Sequence, residues 1–183
     1  MGPDLDTADR VALLRLAWAA LRAAVEGGTE PPDPQGAALR MRRGAFVTLR
    51  KRGTLRGCVG HVAADRPLAD VVREAAAAAA LEDARFPPVA AVEVGELELE
   101  VSVLTPPRRL SPVHPTALTI GRHGLLVRLG ASSGLLLPQV AVEHALDAAA
   151  FLVATCRKAG LQEDAWRHPD VEVLVFETET VIG

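Results

Sequence analysis

Paired strand patterns interrupted by helical stripes predict an α+β fold with mixed or antiparallel sheet. Residues 44–60, GAFVTLRKRGTLRGCVG, read as two strands joined by a short glycine-containing loop, and Leu97, Leu99, Val101 and Val103 alternate with Glu98, Glu100 and Ser102 as a half-buried strand requires. Around these stretches, residues 6–26, the segment that opens at Pro67, and residues 140–158 repeat apolar positions at helical spacing.

The chain of 183 residues is long enough for a sizeable core in one domain or two small subdomains, and it is taken as a single domain over 1–183. It is 49% hydrophobic but 3% aromatic, with no tyrosine, so that core must be aliphatic and alanine-rich. Two distant cysteines make neither a disulfide framework nor a zinc site, and the absence of Cys-x-x-Cys, a Walker loop and GxGxxG leaves no metal or cofactor to expect. The N-terminus lacks a basic-then-apolar signal pattern and no apolar run reaches spanning length, so the expectation is a cytoplasmic protein without a membrane partner. A net charge of −3 disfavours general nucleic-acid binding. Yet Arg40, Arg42, Arg43, Arg50, Lys51, Arg52 and Arg56 lie in a stretch with no acidic residue between Asp33 and Asp65, a local cation patch.

In chain order, residues 6–26 read as an amphipathic helix with Val11, Leu14, Trp18, Leu21 and Val25 on one stripe, capped by Asp6 or Thr7 and stopped by Gly27-Gly28. Residues 30–36, EPPDPQG, are a linker-like turn. In the hairpin, residues 44–50 pair with 54–59 across a three-residue loop, Lys51-Arg52-Gly53. Alternation puts Leu55 and Val59 on one face with Gly57, and Thr54, Arg56 and Cys58 on the other. Pro67 opens a helix whose stripe is Leu68, Val71, Val72, Ala75, Ala76 and Ala79. A second hairpin is expected from 117–120 and 125–129 around Gly121-Arg122-His123-Gly124, then a short apolar run at 135–137. The helical region 140–158 is broken near Asp147 and stopped at Gly160, with Cys156 on its apolar stripe, and 171–176 is a final strand.

These residues resemble the AMME-syndrome candidate domain family, whose bacterial and archaeal members are called protein A of the AmmeMemoRadiSam system. The likeness rests on GAFVTLRKRGTLRGCVG, RPLADVV, EDARFPP, LELEVSVLTPP, GRHGLLV, GLLLPQVAVE and FLVATCRKAGL followed by Trp166, about residues 44–176. Val59 stands for the usual isoleucine, Leu146 stands where many members have tryptophan, and the tail 177–183 lacks an aromatic-acidic ending. The resemblance implies two interlocked subdomains around a cleft, and partnership with a Memo-like protein and a radical-SAM enzyme. It implies no reaction, and the chain itself lacks the cysteine triad of a radical-SAM enzyme.

The candidate site residues are Arg56, Gly57, Cys58, Gly60, Arg85, Glu100, Ser102, His123 and Gln139. A Cys58 thiolate beside Arg56 would be a competent nucleophile, with His61 or His123 as possible bases, although alternation puts His61 on the face opposite Cys58 if the strand runs that far; the alternative is a small inert core thiol. Arg56 and Arg85 suit an anionic small molecule bidentately, with Gly57 and Gly60 clearing space; the alternative is a structural ion pair such as Arg56 with Glu100. Glu100 and Ser102 count if their sheet face lines a site, while His123 in a turn and Gln139 after Pro138 offer a ring nitrogen and an amide. Three functions remain open: a substrate- or anion-binding component, catalytic or not; a non-catalytic adaptor; and an RNA-contacting module, weakest for want of aromatic residues to stack on bases.

Overall fold

The computed structural model describes residues 5–29, 32 and 36–183, so the connection expected at 30–36 falls outside the described residues except for Pro32 and Gly36. The chain is α+β and divides into two compact units, Met1–Leu104 with Glu179–Gly183, and Thr105–Thr178. Its helices are α1 (Thr7–Glu26), α2 (Ala37–Arg40), α3 (Leu68–Leu81), α4 (Pro138–Glu143) and α5 (Ala148–Lys158). Its strands are β1 (Ala45–Lys51), β2 (Thr54–His61), β3 (Leu97–Leu104), β4 (Arg108–Arg109), β5 (His123–Leu129), β6 (Ser132–Leu136) and β7 (Glu172–Ile182).

In the first unit, β2, β1 and β3 form an antiparallel run, and β3 continues to the chain's end, where Leu99 and Gly183 exchange backbone bonds of 3.3 and 3.1 Å. Val47, Leu49, Leu99 and Val101, all fully buried, turn one sheet face into the core, where α1 and α3 pack. The α3 stripe is as the spacing predicts, from Leu68 to Ala79. Asp6 caps α1 in a capping box with Asp9. The stripe of α1 is rotated from the expected one: Leu13, Leu16, Ala17, Ala20 and Leu21 are buried, whereas Val11 is 43% exposed. The small alanines let this face sit deepest, and Leu14, Trp18 and Val25 pack at its edge.

The hairpin turn is tighter than expected. Lys51 pairs with Thr54, leaving a two-residue loop in which Arg52 and Gly53 have φ of 51° and 75°, the left-handed pair of a type I′ turn.

The second unit holds β4, the first part of β7, β5 and β6, all antiparallel, over a core of Leu125, Val127, Phe151, Leu152, Cys156, Trp166 and Val175. The helical region is broken as expected, with Asp147 accepting from the Ala150 N–H to cap α5 and Gly160 stopping it at φ 72°. The second hairpin is not where glycine spacing suggests. Residues 117–120 are not a strand; β5 pairs with β6, which takes in Leu135 and Leu136 of the short apolar run, through a turn at Gly130-Ala131. The last strand continues past 176 to Ile182. Among the described residues no helix is long and apolar enough to cross a membrane.

Candidate functional site

Register builds the site. Cys58 of β2 stands opposite Thr48 of β1, and Thr48 opposite Glu100 of β3; one step along, Gly60, Phe46 and Ser102 make the next row. Both rows lie on the face turned away from α1 and α3, because they alternate with Val47, Leu49 and Val101. The Thr48 hydroxyl donates to Cys58 Sγ at 3.4 Å. Ser102 Oγ donates to Glu100 Oε1 at 3.4 Å and lies 3.1 Å from Thr180 Oγ1 of the chain's last strand. Thr48 and Ser102 are buried at 6% and 0% exposure, while Cys58 is half-buried. The structure thus joins Cys58, Glu100 and Ser102 on one face and adds Thr48 and Thr180.

It also moves Arg56 off that face. Leu49 pairs with Gly57 but Arg50 pairs with Leu55, so Arg56 is the extra residue of a β-bulge. The strict alternation expected along β2 fails there: Leu55 lands on the Thr48 side, outside the core, and Arg56 turns to the helix side. There its Nη1 donates to Pro87 O at 2.9 Å, and Nη2 to Pro88 O at 3.2 Å and to Glu93 Oε2 at 3.0 Å. Lys51 reaches the same Glu93 at 3.2 Å. Arg56 is half of an internal ion pair, with Glu93 in place of Glu100, and these two cations and the Ala90 N–H hold the Glu93 carboxyl down at about 2.

The two glycines serve packing. A Cβ on Gly57 would sit 2.0 Å from the Ala79 carbonyl oxygen of α3, and one on Gly60 2.4 Å from the Phe46 ring and the Ala45 carbonyl. Helix backbone and aromatic ring fill the space that the sequence suggests is reserved for a ligand.

The cation beside the thiol is Arg85. Its Nε and Nη2 grip Asp83 at 2.9 and 2.6 Å, and Nη2 also donates to the Cys58 carbonyl at 3.3 Å. Asp83 Oδ2 in turn accepts from the Cys58 N–H at 2.8 Å. The Asp83 carboxyl is held far below its ordinary range, first by Arg85 and then by the Cys58 amide, and Arg85 is raised by Asp83 first and the Cys58 thiol after it. Asp83 is buried at 7% side-chain exposure, whereas Arg85 is 52% exposed, so solvent meets the guanidinium. His61 is no base for this thiol: β2 alternation puts it on the opposite face, and its Nε2 is bound to Asp65 at 2.8 Å.

His123 and Gln139 belong to the second unit. His123 opens β5 opposite Glu177, and its Nδ1 accepts from the Thr119 N–H at 3.1 Å, which leaves the proton of the neutral ring on Nε2. Burial pushes its pKa down, with Arg108 and Arg122 adding to the effect and Glu177 opposing it. Gln139 is half-buried in the first turn of α4. Of the hairpin's cations, Lys51, Arg52 and Arg56 are paired with Glu93 or Glu96. Among the described residues no group of three or more His, Cys, Asp or Glu could hold a metal ion.

The AMMECR1 family model matches residues 14–181, nearly the whole chain. The chain belongs to the AMMECR1 family. A protein of Methanothermobacter thermautotrophicus is 47% identical over 152 residues, spanning 81% of this chain and 79% of its own. A protein of Methanopyrus kandleri is 44% identical over 187 residues, spanning 98% and 90%. The crystal structure of an uncharacterised protein from Pyrococcus horikoshii superposes with a TM-score of 0.87 at 41% identity, over 92% of this chain and 88% of that one.

Thr48, Asp83, Glu93 and Thr180 of this AMMECR1 chain are site or scaffold residues that sequence spacing does not mark. Asp83 had one signal: it lies in the EDARFPP stretch beside Arg85. Thr48 had another, as a polar residue between the apolar Val47 and Leu49.

Proposed function

We propose that this AMMECR1 protein is a substrate-binding component whose working group is the Cys58 thiol, with an anionic part of the substrate received by Arg85. The observation that supports it is the setting of Cys58: its N–H and C=O are both held by the Asp83–Arg85 pair, while its Sγ takes a hydroxyl hydrogen bond from Thr48. A thiol so fixed, with a half-exposed guanidinium beside it, favours an anionic reactant over a neutral one. Glu100, held by the fully buried Ser102 hydroxyl, continues the polar face and would orient donor groups of the same ligand. In this reading the chain is the substrate-holding partner of the Memo-like protein and the radical-SAM enzyme that the family resemblance implies.

Alkylation of the native protein tests this. Cys58 is expected to react and the fully buried Cys156, whose pKa burial pushes up, is not. The ratio of iodoacetate to iodoacetamide rates at Cys58, referred to glutathione, should be raised about threefold and return to the free-thiol ratio in Arg85→Gln. Faster modification of Cys156, or a ratio unchanged by R85Q, refutes the assignment.

A further inference from the structure

The second unit carries a pocket of about 380 Å3 that none of the site residues above lines. Its floor is core: Leu110, Val171 and Val173 line it, and the strand and loop that carry them close the unit's hydrophobic cluster. Trp166 forms a wall, and Arg109 and Arg167 stand at the rim. That volume is far more than a water or a bare inorganic anion fills and lies in the range of small organic ligands.

The charged groups around the pocket are not all paired with one another. Arg109 is paired with Glu172, and His168 lies 3.7 Å from Asp170. Arg167 stacks on the Trp166 ring with its guanidinium carbon 4.7 Å from the centroid and, among the described residues, has no carboxylate partner. A cation–π contact spends none of the guanidinium's N–H donors on a carboxylate and leaves them for something else. The indole Nε1–H likewise has no acceptor among the described residues and meets solvent, as it is not one of the buried donors left without a partner. A guanidinium without a carboxylate partner, its unspent donors and an apolar floor together match an apolar body carrying a single carboxylate.

We infer that this pocket binds a small organic monocarboxylate, its apolar body on Leu110, Val171 and Val173 and its carboxylate against Arg167. The carboxylate would take the bidentate edge of the guanidinium while Trp166 flanks the body of the ligand. This site is independent of Cys58 and stands or falls separately from it.

The chain has two tryptophans, so Trp18→Phe leaves Trp166 as the sole indole reporter in the 183-residue chain. In that background benzoate, phenylacetate and hexanoate are titrated against Trp166 fluorescence, with benzamide and inorganic phosphate as comparators. At least one carboxylate is expected to give a saturable change, and benzamide to bind about tenfold more weakly or worse, as loss of a charged hydrogen-bond partner requires. Arg167→Gln, at an exposed position, should weaken the carboxylate by a similar factor with an unchanged Tm. The inference is overturned if no carboxylate gives a saturable signal, if benzamide or phosphate binds as well, or if R167Q binds undiminished.

Discussion

Replacing Gly57 by alanine separates a packing glycine from a ligand-clearing one. The added Cβ would lie 2.0 Å from the Ala79 carbonyl oxygen, about 1.4 Å short of ordinary contact, and the obstacle is helix backbone with no rotamer to change. Relief requires α3 to move off the sheet, dragging Val72, Ala75 and Ala76, all nearly or fully buried, out of register with β1 and β2. Overpacking of this kind costs about 3 kcal/mol, and for a chain of this size that lowers Tm by roughly 9 °C. Gly95→Ala is the control, since nothing lies within 4 Å of its added Cβ and its φ is ordinary. Urea denaturation followed by circular dichroism gives both midpoints. If G57A unfolds at the same urea concentration as G95A, α3 does not need the bare backbone of β2, and the glycine has to be explained by something outside the protein.

Two further outcomes follow from the bulge and from the cation cluster beneath it. Leu49→Ala, at a fully buried position, should lose about 2–5 kcal/mol, whereas Leu55→Ala, half-buried and outside the core, should lose less than half as much; equal shifts in denaturation midpoint would return Leu55 to the core face. The folded Glu93 carboxyl is depressed to about 2 from 4.5, so its stabilisation is fully present above pH 4.5 and disappears as pH falls through about 2. Acid titration of stability should therefore decline over that window in the wild type and decline less in Glu93→Gln; superimposable slopes would mean that Arg56 and Lys51 do not hold the carboxylate.

What the sequence reveals of this fold follows from which interactions are local. Residues 97–104 are legible because apolar and polar side chains alternate with the pleat, even though Ser102 on the polar face is itself buried. The α3 stripe and the Asp147 cap are legible for the same reason, as each is a pattern within one or two turns. The bulge at Arg56 is invisible because alternation counts residues, and one unpaired residue exchanges the faces of everything before it. That single slip explains why Arg56 and Cys58 were expected together and why Leu55 was expected in the core. The second hairpin was displaced because Gly121 and Gly124 flank a convincing turn, while the pairing is decided by burial of Leu125 and Val127 against α5. Glu93 and Asp83 act across 37 and 25 residues of chain, and no local pattern records such a bond.

The Asp83–Arg85 pair has a consequence beyond the thiol. Strand β2 is the outermost strand of its run, and an outermost strand offers alternate N–H and C=O groups to whatever comes alongside. At Cys58 the carboxylate answers the N–H and the guanidinium answers the C=O, so two side chains from one short loop impersonate a neighbouring strand for the length of one residue. An impostor of this kind cannot propagate: it satisfies the main chain and presents a charged, non-repeating surface outward. The same loop that fixes the Cys58 backbone thereby also makes this margin of the sheet a poor template for another copy of itself.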